Sequence, residues 1–496
     1  MVKDKSLMKC SETKLLLTKV CQWRKFRKHF PNSMEKKCVL IFALCFTILL
    51  LFNSKFHGNY QFSEKYTTNF RTFWTSDLHD GSRIDVPSLL RHLGHRVIVA
   101  GVKGNRGPYP DVLRHFVIPG VASLSQAIRD HPLHTNYLME EEIRENFEYF
   151  QYNELIQQTD AFICSFPASF CEIWMPFNKT IIFMPSHRFG LGRCTGNSFQ
   201  RLIDHVLAMD RSKSPRHIIA AAGKYDAEYI NYYTGLKPIV LSTSAFFYAS
   251  HDIGEDKLKT QFTKQQIEIL VGPLQWQKSK LEHIFKNLES SSSKFGGKWN
   301  FTTAKDKYGF YKLQNIADHR AVVMFPYSVL SFGMTEINAL AVPILMPSID
   351  FLIDLNITND RTLTEDVYCG QQLFPTLPRK HPNSLHKYSP ESKSTKALKY
   401  WLNFMDPYQW PHVTIFDSFD DLILKLENMD FDKIHQSMVE ANRKREEQLL
   451  YQWKWIISQI DTNRKVPSNY DTALKELWNV TRLQVDISEA AIMNDI

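Results

Sequence analysis

"AVVMFPYSVLSFGMTEINALAVPILMPS", residues 321–348, is the stretch on which the fold turns. "AVVMFP" is a continuous apolar run of strand length, the pattern of a central parallel strand buried on both faces. "YSVLSFG" then reads as a turn, "MTEINALA" as a short helix ending before Pro343, and "PILMPS" as the next strand. The turn therefore lies at the carboxyl end of a strand and the amino end of a helix. Free backbone N–H groups and the positive end of the helix dipole meet there, and Gly333 lets a ligand approach the backbone closely. One acid, Glu336, stands in this apolar unit. It either favours the helix start electrostatically, as acids in a first turn do, or points into a cleft and accepts hydrogen bonds from a ligand.

The same alternation extends in both directions. Upstream, "RTFWTS", "HRVIVAG" (95–101), "DAFICSFP" (160–167), "TIIFMPSH" (180–187), "HIIAAAG" (217–223) and "KPIVLSTS" (237–244) read as buried strands. Helical stretches such as "SFQRLIDHVLAMDR" and "YDAEYINYYTG" separate most of them. A charged gap near 252–265 resets the pattern, and "QIEILVGPL" (266–274) and "KWNFTTA" precede the opening stretch. Strands alternating with helices imply parallel sheets covered on both faces. The expected fold is α/β, with two Rossmann-like, doubly wound domains, 71–255 and 256–460, facing a cleft. Beyond 355 the chain reads as loop-rich until helices at 418–428 and 432–460, and 461–496 as a peripheral tail.

The chain has 496 residues and a net charge of +8. Residues 1–37 contain 11 Lys/Arg and 3 Asp/Glu, and the rest carries 49 of each sign. Nothing basic remains to form a nucleic-acid surface. The basic tail runs into "CVLIFALCFTILLLF" (38–52), which holds no charge. Fifteen residues span about 22 Å as a helix, short of the roughly 30 Å hydrocarbon core but suited to thinner early-secretory membranes. "NSKFHG" offers no small-x-small cleavage site, so the reading is an uncleaved type II anchor at 38–53 with a stem at 54–70. Basic residues on its amino side keep that side cytosolic. The body would then lie in the lumen of the Golgi or endoplasmic reticulum. A buried core helix and a cleaved signal peptide are the alternatives.

Sequons at Asn178, Asn300, Asn356 and Asn479 agree with a lumenal body. Cys164, Cys171, Cys194 and Cys369 lie beyond the anchor, an even number that permits two disulfides in three pairings. Their spacing matches no common zinc pattern.

Phe332-Gly333, then Glu336, then Ala339-Leu340-Ala341 and Pro343 resemble the donor-binding segment of two-domain, GT-B-type glycosyltransferases. "ILVGPLQWQKSK" resembles the first strand of the same domain. The resemblance is strongest over about 266–350. It implies that Glu336 holds the ribose of a UDP- or GDP-linked sugar. It also implies that Gly333 with the N–H groups after it, Gly272, and Lys278 or Lys280 meet the diphosphate, and that Phe332, Thr335 and Ser328 belong to the same donor-binding set. The retaining families usually carry a second Glu eight positions before the ribose Glu, where Ser328 stands here, and the Arg often found after the first-strand Gly is Pro273. "PYSVLSFGMTE" with "YDAEYINYYTG" also resembles a group of membrane-anchored eukaryotic transferase-like proteins.

For the acceptor side, "SDLHDGSR" follows the first strand and faces the cleft. Asp77, His79 and Asp80 stand together there, and a His paired with an Asp makes a suitable base. An Asp-Gly turn explains the same residues. "SHRFGLGR" is a second candidate, where His187, Arg188 and Arg193 could meet an acidic leaving group, or form a surface loop. "DFD" at 430–432 is the one lumenal Asp-x-Asp, and it opens a helix, where acids serve as caps. No metal is therefore expected. "DLHDGSR" is too acidic for a sulfotransferase phosphate loop, and no Gly-x-Ser-x-Gly elbow is present. The expectation is a glycosyltransferase acting on a glycan, protein or lipid hydroxyl, the nucleotide-sugar being co-substrate rather than cofactor. Its alternative is an inactive lumenal binding protein of the same fold.

Overall fold

The computed structural model describes residues 70–77, 79–99, 140–191, 193, 196–253, 267–272, 278–355, 378–462 and 464–471. The anchor at 38–53 and the sequons Asn356 and Asn479 lie outside these residues. Among the described residues no helix is long and apolar enough to cross a membrane.

Two parallel sheets form the frame. The first contains β1 (Thr72–Thr75), β2 (Arg96–Val99), β3 (Ala161–Cys164), β4 (Thr180–Phe183), β5 (Ile218–Ala221) and β6 (Ile239–Val240), in the order β2-β1-β3-β4-β5-β6. The second contains β7 (Glu268–Val271), β8 (Asn300–Thr302), β9 (Val322–Val323), β10 (Ile344–Pro347) and β11 (Thr414–Phe416), in the order β11-β10-β9-β7-β8. Within each, the first strand pairs with both the second and the third, so the two sheets are wound alike. The eleventh strand falls in a segment expected to be loop.

Alternation along each strand sends side chains to two cores. In the first sheet Phe73, Val97, Ile163 and Ile182 face one side and Trp74, Ile98, Phe162 and Ile181 the other. The first side is covered by α1 (Asp80–His92) through Val86, Leu89 and Leu90. The second is covered by α2 (Glu140–Phe150), α3 (Gly196–Arg211) and α4 (Lys224–Thr234), with Phe147, Leu202 and Tyr229 in that core. A third core joins the lobes. It packs Ile84 of α1 and Tyr248 of α5 (Phe246–Ile253) against Leu270, Val322 and Ile344 of the second sheet.

The second sheet carries α6 (Lys278–Lys294), α7 (Phe332–Ala339), α8 (Thr395–Leu402), α9 (Asp406–Gln409), α10 (Phe419–Asn428) and α11 (Phe431–Ser458). The last, 28 residues and so about 42 Å long, crosses both lobes. His435 Nδ1 lies 2.8 Å from the Ala341 carbonyl and Asn442 donates to the Asn338 carbonyl, both on the second lobe. Further along, Leu449, Trp453 and Ile456 join the core of the first sheet, and Gln452 donates to the Val240 carbonyl.

The segment after 460 is not peripheral as far as it is described. Arg464 donates to the Asn178 carbonyl, and buried Tyr470 packs against Phe147. Cys164 and Cys171 form a disulfide with Cα atoms 5.6 Å apart. Cys194 and Cys369 lie outside the described residues.

Candidate functional site

In open parallel sheets ligands bind beyond the carboxyl ends of the strands, where neighbouring connections leave in opposite directions. That point lies between β1 and β3 in the first sheet and between β7 and β9 in the second. After β1 the chain runs into Ser76 and Asp77. The Asp77 Oδ1 accepts from the Ser165 and Phe166 N–H groups that follow β3, at 2.8 and 3.0 Å. Burial pushes this carboxyl up to about 6, and the two backbone bonds restrain the rise. After β7, Gly272 has φ 150, a region that favours glycine, and its N–H donates to the Val323 carbonyl at 3.0 Å.

His79 is the N-cap of α1. Its Nδ1 accepts from the Gly81 N–H at 3.1 Å. A neutral imidazole has one acceptor nitrogen, so this bond places the ring proton on Nε2. Desolvation of the ring between Phe332 and Phe166, followed by the charge of Arg83, lowers the His79 pKa and so favours the neutral ring, although part of the residue is exposed. His79 therefore presents a donor. The expected His–Asp base pair is not formed with Asp77, whose Oδ1 is bonded to backbone beyond β3. Asp80 is the first residue of α1.

The ring of His79 stacks on Phe332 of the second lobe, centroids 5.2 Å apart, and meets Phe166 edge-on at 5.5 Å. Phe166 in turn contacts His187 at 6.3 Å. The two candidate loops, separated by a hundred residues, thus converge on one phenylalanine. Burial, then the charge of Arg188, pushes His187 down to about 3, so it too is neutral.

The two arginines of the second loop are turned inward. Arg188 Nη1 pairs with Glu391 at 3.0 Å, and Tyr229 donates to the same carboxylate at 2.8 Å. Arg193 is fully buried against Glu172, whose other oxygen lies 2.7 Å from His205 Nδ1. Phe189 and Leu191 between them are core residues. The loop is not a surface loop, and both guanidiniums are balanced by acids of the protein rather than offered to a leaving group.

On the facing lobe α7 begins with Phe332 and Gly333. Its N-cap, Ser331, is held by the Tyr327 hydroxyl at 2.9 Å. Ser328 is half-buried in the preceding turn. Thr335 approaches Thr243 of the first lobe, oxygens 3.3 Å apart. Glu336 is the fifth helical residue, one position beyond the first turn expected of it. It is 9% exposed, and its Oε1 accepts from the Tyr248 hydroxyl at 2.9 Å. Tyr311 and Tyr327 stand close enough that, beyond the effect of burial, the Glu336 charge raises their pKa values. Lys278 is the first residue of α6.

Beneath the carboxyl end of β5 lies a pair of buried acids that sequence reasoning did not find. Asp406 Oδ1 accepts from the Lys224 N–H at 3.2 Å, and burial lifts its pKa to about 6. Burial and then the charge of Asp406 push Asp226 well above the usual carboxylate range. Tyr248, Phe166 and Glu391 were also missed, because each reaches the site only through tertiary contacts.

Of the sequons, Asn300 is exposed, whereas Asn178 is half-buried with its side chain tied to Arg464 and the Lys465 carbonyl. Asp430 of "DFD" caps α11 by accepting from the Lys433 N–H at 3.0 Å. Among the described residues no group of His, Cys, Asp and Glu could hold a metal ion.

The sequence matches no protein-family model, and comparison with curated proteins returns no relative. Solved structures do show similarity. The glycosyltransferase of kitacinnamycin matches with TM-score 0.38 and 10% identity over 79% of this chain and 100% of its own. The glycosyltransferase SnogD from Streptomyces nogalater matches with TM-score 0.27 and 11% identity, over 73% and 99%. Likeness at these values does not bear on the chemistry of the site.

Proposed function

We propose that the protein is a glycosyltransferase taking a UDP- or GDP-linked sugar to a hydroxyl of a glycan, protein or lipid. The observation that carries this reading is the meeting of the two carboxyl edges. Phe332 lies against His79 there, and Glu336 follows one turn along the same helix. A nucleotide laid along this edge would have its diphosphate at the amino end of α7 and its ribose at Glu336. Lys278 is assigned to the same diphosphate by the sequence resemblance. The neutral His79 and His187 rings would donate to the acceptor or to the departing diphosphate, and catalysis would be positional and electrostatic. The apolar run at 38–52 supports a type II membrane protein with this region in the Golgi or endoplasmic-reticulum lumen.

Calorimetry of the purified protein with UDP and GDP, beside Glu336→Ala, tests the reading. Binding of one nucleotide that the variant loses is expected. No binding by folded protein would overturn it. The second reading, a non-catalytic binding protein, is favoured by Asp77, whose carboxyl is engaged by the backbone beyond β3 rather than by His79. It predicts nucleotide binding with no sugar transfer to any acceptor.

A further inference from the structure

We infer that Tyr248, from the opposite lobe, is a positioning residue that makes the site select ribonucleotides over deoxyribonucleotides. This deepens the donor-site reading and rests on it. A carboxylate that recognises a vicinal diol must hold one rotamer, and a glutamate loses up to about 2 kcal/mol of side-chain entropy when it does so. Here the rotamer is fixed before any ligand arrives. The Tyr248 hydroxyl donates to Glu336 Oε1 at 2.9 Å, and the Tyr248 ring is 1% exposed.

Tyr248 is itself held from below. Asp85 of α1 accepts from the Ser244 and Ala245 N–H groups at 3.2 and 2.9 Å, just before α5. Ala245 adopts φ 57, a left-handed conformation that a side chain tolerates only under constraint. The Thr243 carbonyl accepts from Arg445 of α11 at 3.3 Å, and Thr243 Oγ1 meets Thr335 at 3.3 Å. A line of hydrogen bonds thus runs from α1 through the start of α5 to the acid on α7. Glu336 is thereby tied to the lobe that does not carry it.

The test is calorimetric affinity of the whole protein for UDP, GDP and their 2′- and 3′-deoxy counterparts, in wild type and Tyr248→Phe. Phenylalanine keeps the ring and its packing, and matched thermal midpoints check this. Removing a hydrogen bond to a charged group should weaken the ribonucleotide about tenfold. The deoxy forms should bind as before, so that discrimination collapses. Glu336→Gln should abolish the same discrimination, and Tyr248→Phe added to it should change nothing more. Unchanged discrimination in Tyr248→Phe, equal loss for ribo and deoxy forms, or tighter ribonucleotide binding would each overturn the assignment. Wild type that binds ribo and deoxy forms equally would overturn it too, while leaving nucleotide binding standing. Wild type that binds neither nucleotide would remove the donor site itself.

Discussion

The His79 imidazole lies on the Phe332 ring at 5.2 Å with the planes 22° from parallel, while its Nδ1 caps the helix beneath it. One side chain thus joins the lobes and starts α1. His79→Ala removes both roles. The lost cap alone should cost about 1 kcal/mol in denaturant unfolding, and the lost stack about 0.5–1.5 kcal/mol more. His79→Asn should restore the cap but not the stack, and so fall between wild type and alanine.

Gly81 packs against the same ring. A Cβ there would stand 2.7 Å from the Phe332 Cβ, with ring carbons closer still. Gly81→Ala should therefore destabilise by about 1–3 kcal/mol through overpacking, although alanine is the better helix former. Adding Phe332→Ala should recover part of that loss, which thermal unfolding of the double variant would read.

Arg188 and Glu391 are 3% and 11% exposed at their side chains. Glu391→Ala strips the acid from a buried guanidinium and leaves the Tyr229 hydroxyl without that acceptor. Breaking such a pair from one side costs about 3–5 kcal/mol. Urea unfolding should show that loss with an unchanged denaturant slope.

Asp226 is held protonated well above the usual carboxylate range by burial and by Asp406. A group whose pKa is raised on folding stabilises fully below its unfolded pKa, near 4. That contribution fades as pH rises through the folded value. Asp77, Asp85 and Asp406, each lifted chiefly by burial to about 6, act in the same direction. Asp226→Asn mimics the protonated form at every pH. Its stability relative to wild type should grow above pH 4 by up to about 1.4 kcal/mol per unit, until the Asp226 folded pKa is reached. A flat difference from pH 4 to 7 would show that Asp226 ionises normally.

The strands were legible because a central parallel strand is a continuous apolar run, as in "AFIC" of β3 and "ILMP" of β10. β11 was not, since three residues at a sheet edge amid Trp and Pro leave little pattern. Phe332, Gly333 and Glu336 were legible as a local unit of strand, turn and helix. What Glu336 touches was not, because Tyr248 lies 88 positions away and sits in a plain aromatic helix. Arg188 and Arg193 looked like ligands because a basic, glycine-containing loop reads as exposed. The acids that neutralise them, Glu391 and Glu172, are remote in sequence. Asp226 and Asp406 likewise become a pair only once α4 and α9 are brought together.

The long helix α11 has a consequence for the order in which the molecule can be made. Leu449, Trp453 and Ile456 complete the core of a sheet whose last strand ends at Val240. At about 5–20 residues per second, a ribosome needs on the order of 10–40 s to cover the intervening chain. During that interval α1 covers one part of that face of the first lobe, and the part that Leu449, Trp453 and Ile456 fill stays open. The amino-terminal half therefore cannot finish folding as it emerges, and a chain stopped short of α11 would present that face to chaperones.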